Sequence, residues 1–217
     1  MSPPSASFQI FEGDRVTNAA EIACARQIRR DLEAEGIDAI LLVNFTLGPR
    51  RRQIDLIVAT AATAVVVEIK AYVHPVHGRV NGPWSVEQDN GNRRELDGSN
   101  PYQQALENRF TVTDSLRGQD GRDMKDAVAG MLCLFPGAPA GSNIPAGDFK
   151  LAIGGYAELV ALLKVPRANA VSLDQWRAFA RAQGLVDQST KPPSAADRIV
   201  AQYLTAHADL SRATLGP

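Results

Sequence analysis

Residues 53–70, QIDLIVATAATAVVVEIK, consist of two apolar runs joined by Thr60-Ala61-Ala62-Thr63. Folding one run back on the other about that turn pairs Ala59 with Ala64, Ile57 with Val66 and Asp55 with Glu68. Successive side chains of a strand leave on opposite faces, so Glu68 and Lys70 share a face. Directly opposed residues of an antiparallel pair have Cβ atoms about 4.5–5.5 Å apart. The register therefore sets two carboxylates side by side, with an ammonium one step further on. Elsewhere both faces are apolar, with Ile54 and Val58 on one side and Ile57 and Val66 on the other. Strands of that kind are covered on both sides in a layered α/β fold.

Two like charges in such a place repel, and a buried charge is costly unless it is paired or holds a metal. A divalent cation resolves the conflict, because hard cations take carboxylate oxygens. The alternative is a Glu-x-Lys at an exposed strand end, where water solvates the charges. Spacing alone does not choose between the two.

The remaining sequence sets the frame. A chain of 217 residues with 45% hydrophobic and 22% charged residues has the composition of an ordinary globular protein with a substantial core. A formal net charge of -1 does not mark a nucleic-acid binder, so any such binding must come from a local basic patch. Cys24 and Cys133 sit in apolar surroundings and read as buried thiols of a reducing compartment, not as a disulfide framework. No apolar run approaches the length of a membrane span, and MSPPSASF lacks a signal pattern, so the expectation is a cytoplasmic protein with no membrane partner.

Residues 1–18 read as a Pro/Ser-rich arm, mobile at least at its tip. Asn18 can cap a helix over Ala19–Ala34, ended by Gly36 in a left-handed conformation. Glu21 in its first turn complements the helix dipole, which is a sufficient reason for an acid there. Strand Ala39–Leu47 follows, then Gly48-Pro49 and the run Arg50, Arg51 and Arg52, either a solvated loop or a reach towards phosphate. Residues 72–88 suggest a second hairpin, and the polar residues 89–100, with Arg93 and Arg94, an exposed loop. His74 and His77 are separated by Pro75, which breaks any helix that would align them. Asn100-Pro101 opens a helix with Gln103 and Gln104 in its first turn, and helix N-termini attract phosphates. Beyond it come a polar loop over 118–125, strands over 127–135 and 149–155, a helical segment near 157–164, a helix capped by Ser172, and an amphipathic helix over about 194–209.

The ordered set of an early helical Glu21, Gln53-Ile54-Asp55, Glu68-Ile69-Lys70, a hairpin from Gly78 to Trp84, and Asn100-Pro101-Tyr102-Gln103-Gln104 resembles the nuclease-related domain (NERD) family. That family is a branch of the restriction-endonuclease-like PD-(D/E)xK superfamily. The chain departs from its pattern in having Leu56 where a His commonly follows the Asp, and Ala71 where Asn is common after the Lys. The resemblance implies an α/β fold with a restriction-endonuclease-like αβββαβ core, a central mixed sheet flanked by helices, over residues 19–185. Residues 1–18 would be the arm and 186–217 a linker and C-terminal helix. It further implies Mg²⁺, or Mn²⁺ in its place, on Asp55, Glu68 and the Ile69 carbonyl. Lys70 would assist the attacking water, with Gln104 and Glu21 in supporting roles. The partner would be nucleic acid, DNA ahead of RNA, with Arg50, Arg51, Arg52, Arg93 and Arg94 as candidates for its phosphates. A homodimer would cut both strands of a duplex most simply, and the C-terminal helix could dock a fused or separate partner domain. The competing expectation is an inactive nuclease fold that binds or senses nucleic acid within a larger protein.

Overall fold

The computed structural model describes residues 7–14, 18–96, 98, 100–120, 124 and 126–188. The helix expected over 194–209 lies outside them. Two-sided apolar strands make the centre. The strands β1 (Phe8–Glu12), β2 (Ala39–Leu47), β3 (Arg52–Thr60), β4 (Ala64–Lys70), β8 (Val128–Leu134), β9 (Ala152–Gly154) and β10 (Val186–Asp187) form one mixed sheet in the order β10-β1-β2-β3-β4-β8-β9. The 53–70 hairpin has the expected register, with Ala59 opposite Ala64 and Ile57 opposite Val66. Its turn closes by Thr60 N–H donating to the Thr63 carbonyl at 2.8 Å.

Helices cover both faces. On one side α1 (Ala19–Ala34) and α3 (Tyr156–Leu163) pack Ile28, Leu32, Leu159 and Leu163 against Leu41, Val58, Val67 and Met131. On the other, α2 (Pro101–Asp120) and α4 (Leu173–Ala182) pack Val112, Leu116, Trp176 and Phe179 against Leu42, Ile57 and Val66. Local chemistry explains the helix ends. Asn18 Oδ1 accepts from Ala20 N–H, and Ser172 forms a capping box with Gln175. The order α1-β2-β3-β4-α2-β8 is the expected αβββαβ core inside a central mixed sheet flanked by helices.

A smaller three-stranded sheet, β5 (Val76–His77), β6 (Ser85–Glu87) and β7 (Arg93–Glu95), follows β4 at the same end of the large sheet. Trp84 anchors it against Val76, Tyr102, Ala105 and Leu132. A Cβ at Gly78 would lie 2.3 Å from the Trp84 ring, so only glycine lets the indole lie there. Asn100 Nδ2 donates to the Arg79, Val80 and Gly82 carbonyls while its Oδ1 caps Gln103 N–H, which ties this hairpin to the start of α2.

Three elements differ from the sequence reading. Within the arm expected over 1–18, Phe8–Glu12 is a parallel strand beside β2. Val186–Asp187, expected in a linker, pairs with that strand. Arg93–Glu95, expected in a loop, is the edge strand of the small sheet. Cys24 and Cys133 are both buried and free. Among the described residues no helix is long and apolar enough to cross a membrane.

Candidate active site

Regular pairing of β3 with β4 runs from Ala59–Ala64 to Leu56–Val67 and stops where the acids begin. In place of the next ladder bond, Ile69 N–H donates to Asp55 Oδ2 at 2.9 Å. On an extended strand one residue's N–H and C=O leave on the same side, so the Ile69 carbonyl also faces Asp55. A second irregularity meets this point. The pairs Leu42–Ile57 and Phe45–Ile54 belong to the same core, although strict alternation would put them on opposite faces. The slip falls at Asn44 and Asp55, and Asn44 has φ 48, a left-handed conformation that asparagine tolerates.

Glu68 lies on the α2 side and is 1% exposed, while Asp55 is 7% exposed. Lys70 Nζ donates to Glu68 Oε1 at 2.7 Å. Asn108 of α2 donates from Nδ2 to Glu68 Oε2 at 2.8 Å and to the Gln53 carbonyl at 3.0 Å. Burial is the largest influence on the Glu68 carboxyl, and with the neighbouring Asp55 it pushes the pKa up to about 7 against the pull of Lys70 and Asn108. Burial likewise raises Asp55, opposed by the Ile69 N–H and Lys70. One cation thus serves two buried carboxylates, so the cluster is short of positive charge.

Glu21 joins this field. Its carboxyl is pushed up to about 7 by burial and by Asp55, and held back by Asn18 and Lys70. Asn18 Nδ2 donates to Glu21 Oε1 at 2.7 Å, so the residue serves the helix start and faces the acids at once. Tyr72, just past Lys70, has its hydroxyl raised to about 12 by burial and by Glu68.

The sequence-derived candidates therefore divide. Asp55, Glu68, Ile69, Lys70 and Glu21 come together. Gln104 sits in the first turn of α2, one turn before Asn108 on the same helix face. The side chain that reaches Glu68 is Asn108, which sequence reasoning missed. Its only signal is its spacing of one turn from Gln104. Arg52 is paired to Glu107 of α2. Arg50 and Arg52 line a pocket of about 430 Å³ with Glu107, Phe110, Thr111 and Asp114. Arg51 is exposed on the same turn, and Arg93 and Arg94 are exposed on β7.

Asn108→Leu should destabilise the protein by roughly 1–3 kcal/mol, because Glu68 and the Gln53 carbonyl lose a buried donor. Asn108→Asp should cost more at neutral pH than in acid, since it adds a third carboxylate beside Glu68. Urea unfolding of the two variants at both pH values measures this. Equal costs at both pH values for Asn108→Asp would contradict the geometry.

The oxygen donors at hand are the two carboxylates and the Ile69 carbonyl. Among the described residues no group of three His, Cys, Asp or Glu side chains is arranged around one metal position. Two acids and a carbonyl suit Mg²⁺, which is bound through one or two carboxylates and keeps several waters, better than a metal that demands a full protein cage.

A mixed sheet covered by helices, with an acid pair and a lysine at one end, defines a nuclease-like α/β protein. Residues 17–134 match the nuclease-related domain (NERD) family, and the chain belongs to that family. Neither the curated proteins nor the solved structures yield a match to it.

Proposed function

We propose that the protein is a metal-dependent nuclease that hydrolyses phosphodiester bonds, with DNA as substrate and Mg²⁺ held by Asp55, Glu68 and the Ile69 carbonyl. The observation that carries this reading is the pair of buried carboxylates sharing one lysine where the β3–β4 ladder ends. A bound divalent cation supplies a water of lowered pKa and neutralises charge on the phosphate. The chain's own residues do the rest. The Ile69 N–H fixes the Asp55 carboxylate, and Asn108 fixes that of Glu68. Lys70, bonded to Glu68, orients the attacking water and offsets charge that develops on the phosphate oxygens. Glu21 acts from the outer rim through water, and Gln104 contacts the water or a phosphate oxygen at the mouth of α2. The protein works in the cytoplasm.

Arg50 and Arg51, on the turn before β3, lie at the same end of the sheet as Lys70, since the start of β3 adjoins the end of β4. Phosphates held there release counterions, so log K for DNA should fall steeply with log[salt], by about 0.9 per phosphate neutralised. Fluorescence anisotropy with Arg50→Ala and Arg51→Ala should give a shallower slope, each losing about one contact. A slope that neither substitution changes would remove the turn from the interface.

The deciding assay incubates plasmid, linear duplex and single-stranded DNA with purified protein in Mg²⁺, Mn²⁺ or EDTA. Cleavage in either metal and none in EDTA supports the reading. Binding without cleavage under any condition overturns it in favour of a nucleic-acid-binding module.

A further inference from the structure

The pocket between the β2–β3 turn and the middle of α2 lies on the side of the sheet that carries Glu68. It has a volume of about 430 Å³ and is lined by Gly48, Pro49 and Arg50 of the turn and by Glu107, Phe110 and Asp114 of α2, among others. Positions 107, 110, 111 and 114 recur every three or four residues, so they share one face of the helix. Gly48 brings the turn against that face. It has φ 74, and a Cβ there would lie 2.9 Å from Thr111 Cγ2. Tyr102, Val112 and Leu116 of the same helix are buried, whereas Phe110 is 41% exposed.

The lining is balanced in charge. It sets Arg50 and Arg52 against Glu107 and Asp114, so it does not favour a bare phosphate. Arg52 and Glu107 neutralise each other in an ion pair. The hydroxyls of Thr111 and Ser115 donate to the Glu107 and Thr111 carbonyls at 2.9 Å each, which spends their protons inside the helix. Their oxygens are left as acceptors. The Asp114 carboxylate has no hydrogen-bond or ion-pair partner among the described residues. It stands one helical turn from Phe110 and adds a charged acceptor beside the exposed ring. An aromatic wall with acceptors at its edge suits a flat ring that carries N–H donors.

We propose that this pocket holds one unpaired base of the nucleic-acid substrate, stacked on Phe110 with an exocyclic amine donating to Asp114. The inference rests on the nuclease reading and adds the form of substrate that the chain prefers. Placement supports it. Arg52 is three residues from Asp55 along β3, about 10 Å at ~3.3 Å per residue. Glu107 precedes Asn108, whose side chain donates to Glu68. At ~3.4 Å of rise per stacked nucleotide, the base belongs within about three positions of the scissile phosphate. The volume falls in the range of small-molecule sites, about 300–1,000 Å³. A base inside a duplex is stacked on both faces and has its amine paired, so an unpaired one is required. It comes from a single strand or from a nucleotide turned out of a duplex.

The test is fluorescence anisotropy in EDTA, where no metal-dependent cleavage intervenes, at one salt concentration. Short labelled single strands carry cytosine throughout, uracil throughout, or no base at all. The uracil strand should bind about tenfold more tightly than the abasic one, the gain from one base stacked on an aromatic ring. Phe110→Ala should erase that gain. Cytosine differs from uracil by an amine in place of a carbonyl, and its strand should bind about tenfold more tightly again. Asp114→Ala should bring the two level. Both substitutions fall at exposed positions, and circular dichroism checks folding. A duplex with one mismatched cytosine that matches the single strand identifies a base turned out of a duplex. Binding by the single strand alone identifies a single-stranded substrate. An abasic strand that binds as tightly as the others, or a gain that survives Phe110→Ala, overturns the site. Equal affinities for cytosine and uracil, or a preference that survives Asp114→Ala, overturn the part given to the acid. Because the measurement needs no cleavage, its failure leaves the nuclease reading standing, and the reverse holds as well.

Discussion

Lys70→Met and Asp55→Asn should each lower the rate of DNA cleavage by about 10²–10³-fold, the usual cost of removing one group that stabilises charge in a transition state. Both substitutions keep the shape of the site. An asparagine at 55 retains a carbonyl oxygen for the Ile69 N–H, now 2.9 Å from Asp55 Oδ2, while losing the anionic oxygens. A methionine at 70 fills the same space and removes the cation bonded to Glu68. In the proposed reaction the two acids and the lysine would act on one phosphate, so their effects should not add. The double variant should be little slower than the worse single one, as happens when residues work as a unit. Single-turnover cleavage of a labelled duplex, with circular dichroism to confirm folding, measures all three. Cleavage at the parent rate in either single variant would remove that residue from the reaction.

That site was largely legible in the sequence, and the reasons are local. Two apolar runs of matched length about Thr60–Thr63 allow one register, because a slip of one residue would turn every side chain to the other face. That register brings Asp55 towards Glu68, although the ladder itself ends one pair earlier, at Leu56–Val67, and Asp55 accepts from the Ile69 N–H. Asn18, Asn100-Pro101 and Ser172 carry their helix starts in their own side chains. What sequence did not reveal depends on distant partners. Phe8–Glu12 is a strand because the β2 edge and Val186–Asp187 lie on either side of it, and FQIFE alone carries too few residues to declare itself. Arg93–Glu95 is exposed and has no apolar alternation to read. Asn108 lies in a polar stretch of α2 and gains meaning only when the helix crosses the end of β4.

The departure at Leu56 also has a structural account. The side chain is 1% exposed and belongs to the core between the sheet and α1, with Val58 and Val67. An imidazole in that position would need a polar partner among aliphatic neighbours. Leucine instead adds packing directly behind Asp55, which helps hold the backbone at the place where the ladder ends. Stability moves to the core side of the strand while the acids keep their own.

The second large effect is on stability, and it follows from the same shortage of positive charge. In EDTA the folded protein should lose stability as pH rises from about 5 to about 8. The sign follows from proton binding. Glu68 has its pKa raised from 4.5 to about 7 in the folded chain. Between those two values the unfolded chain has released its proton and the folded chain still holds it, so unfolding becomes easier with each step in pH. Above about 7 both forms are ionised and the loss levels off. Asp55 is shifted in the same direction, and Glu21 is also raised to about 7, so neither reverses the slope. At 1.36 kcal/mol per pKa unit, the effect from Glu68 is on the order of 3 kcal/mol, or about 6–12 °C in Tm for a chain of this size. A divalent cation held as proposed would bind the ionised acids, so Mg²⁺ should raise Tm more at about pH 8 than at about pH 5. Glu68→Gln keeps a group that can accept from Asn108 and removes the titrating carboxyl. It should flatten the pH slope and weaken the Mg²⁺ response together. Thermal unfolding of both proteins at the two pH values, with and without Mg²⁺, tests the pair of claims at once. A slope that Glu68→Gln leaves intact would mean that some other group sets it. A Mg²⁺ response of equal size at both pH values would mean that the cation does not bind through these carboxylates.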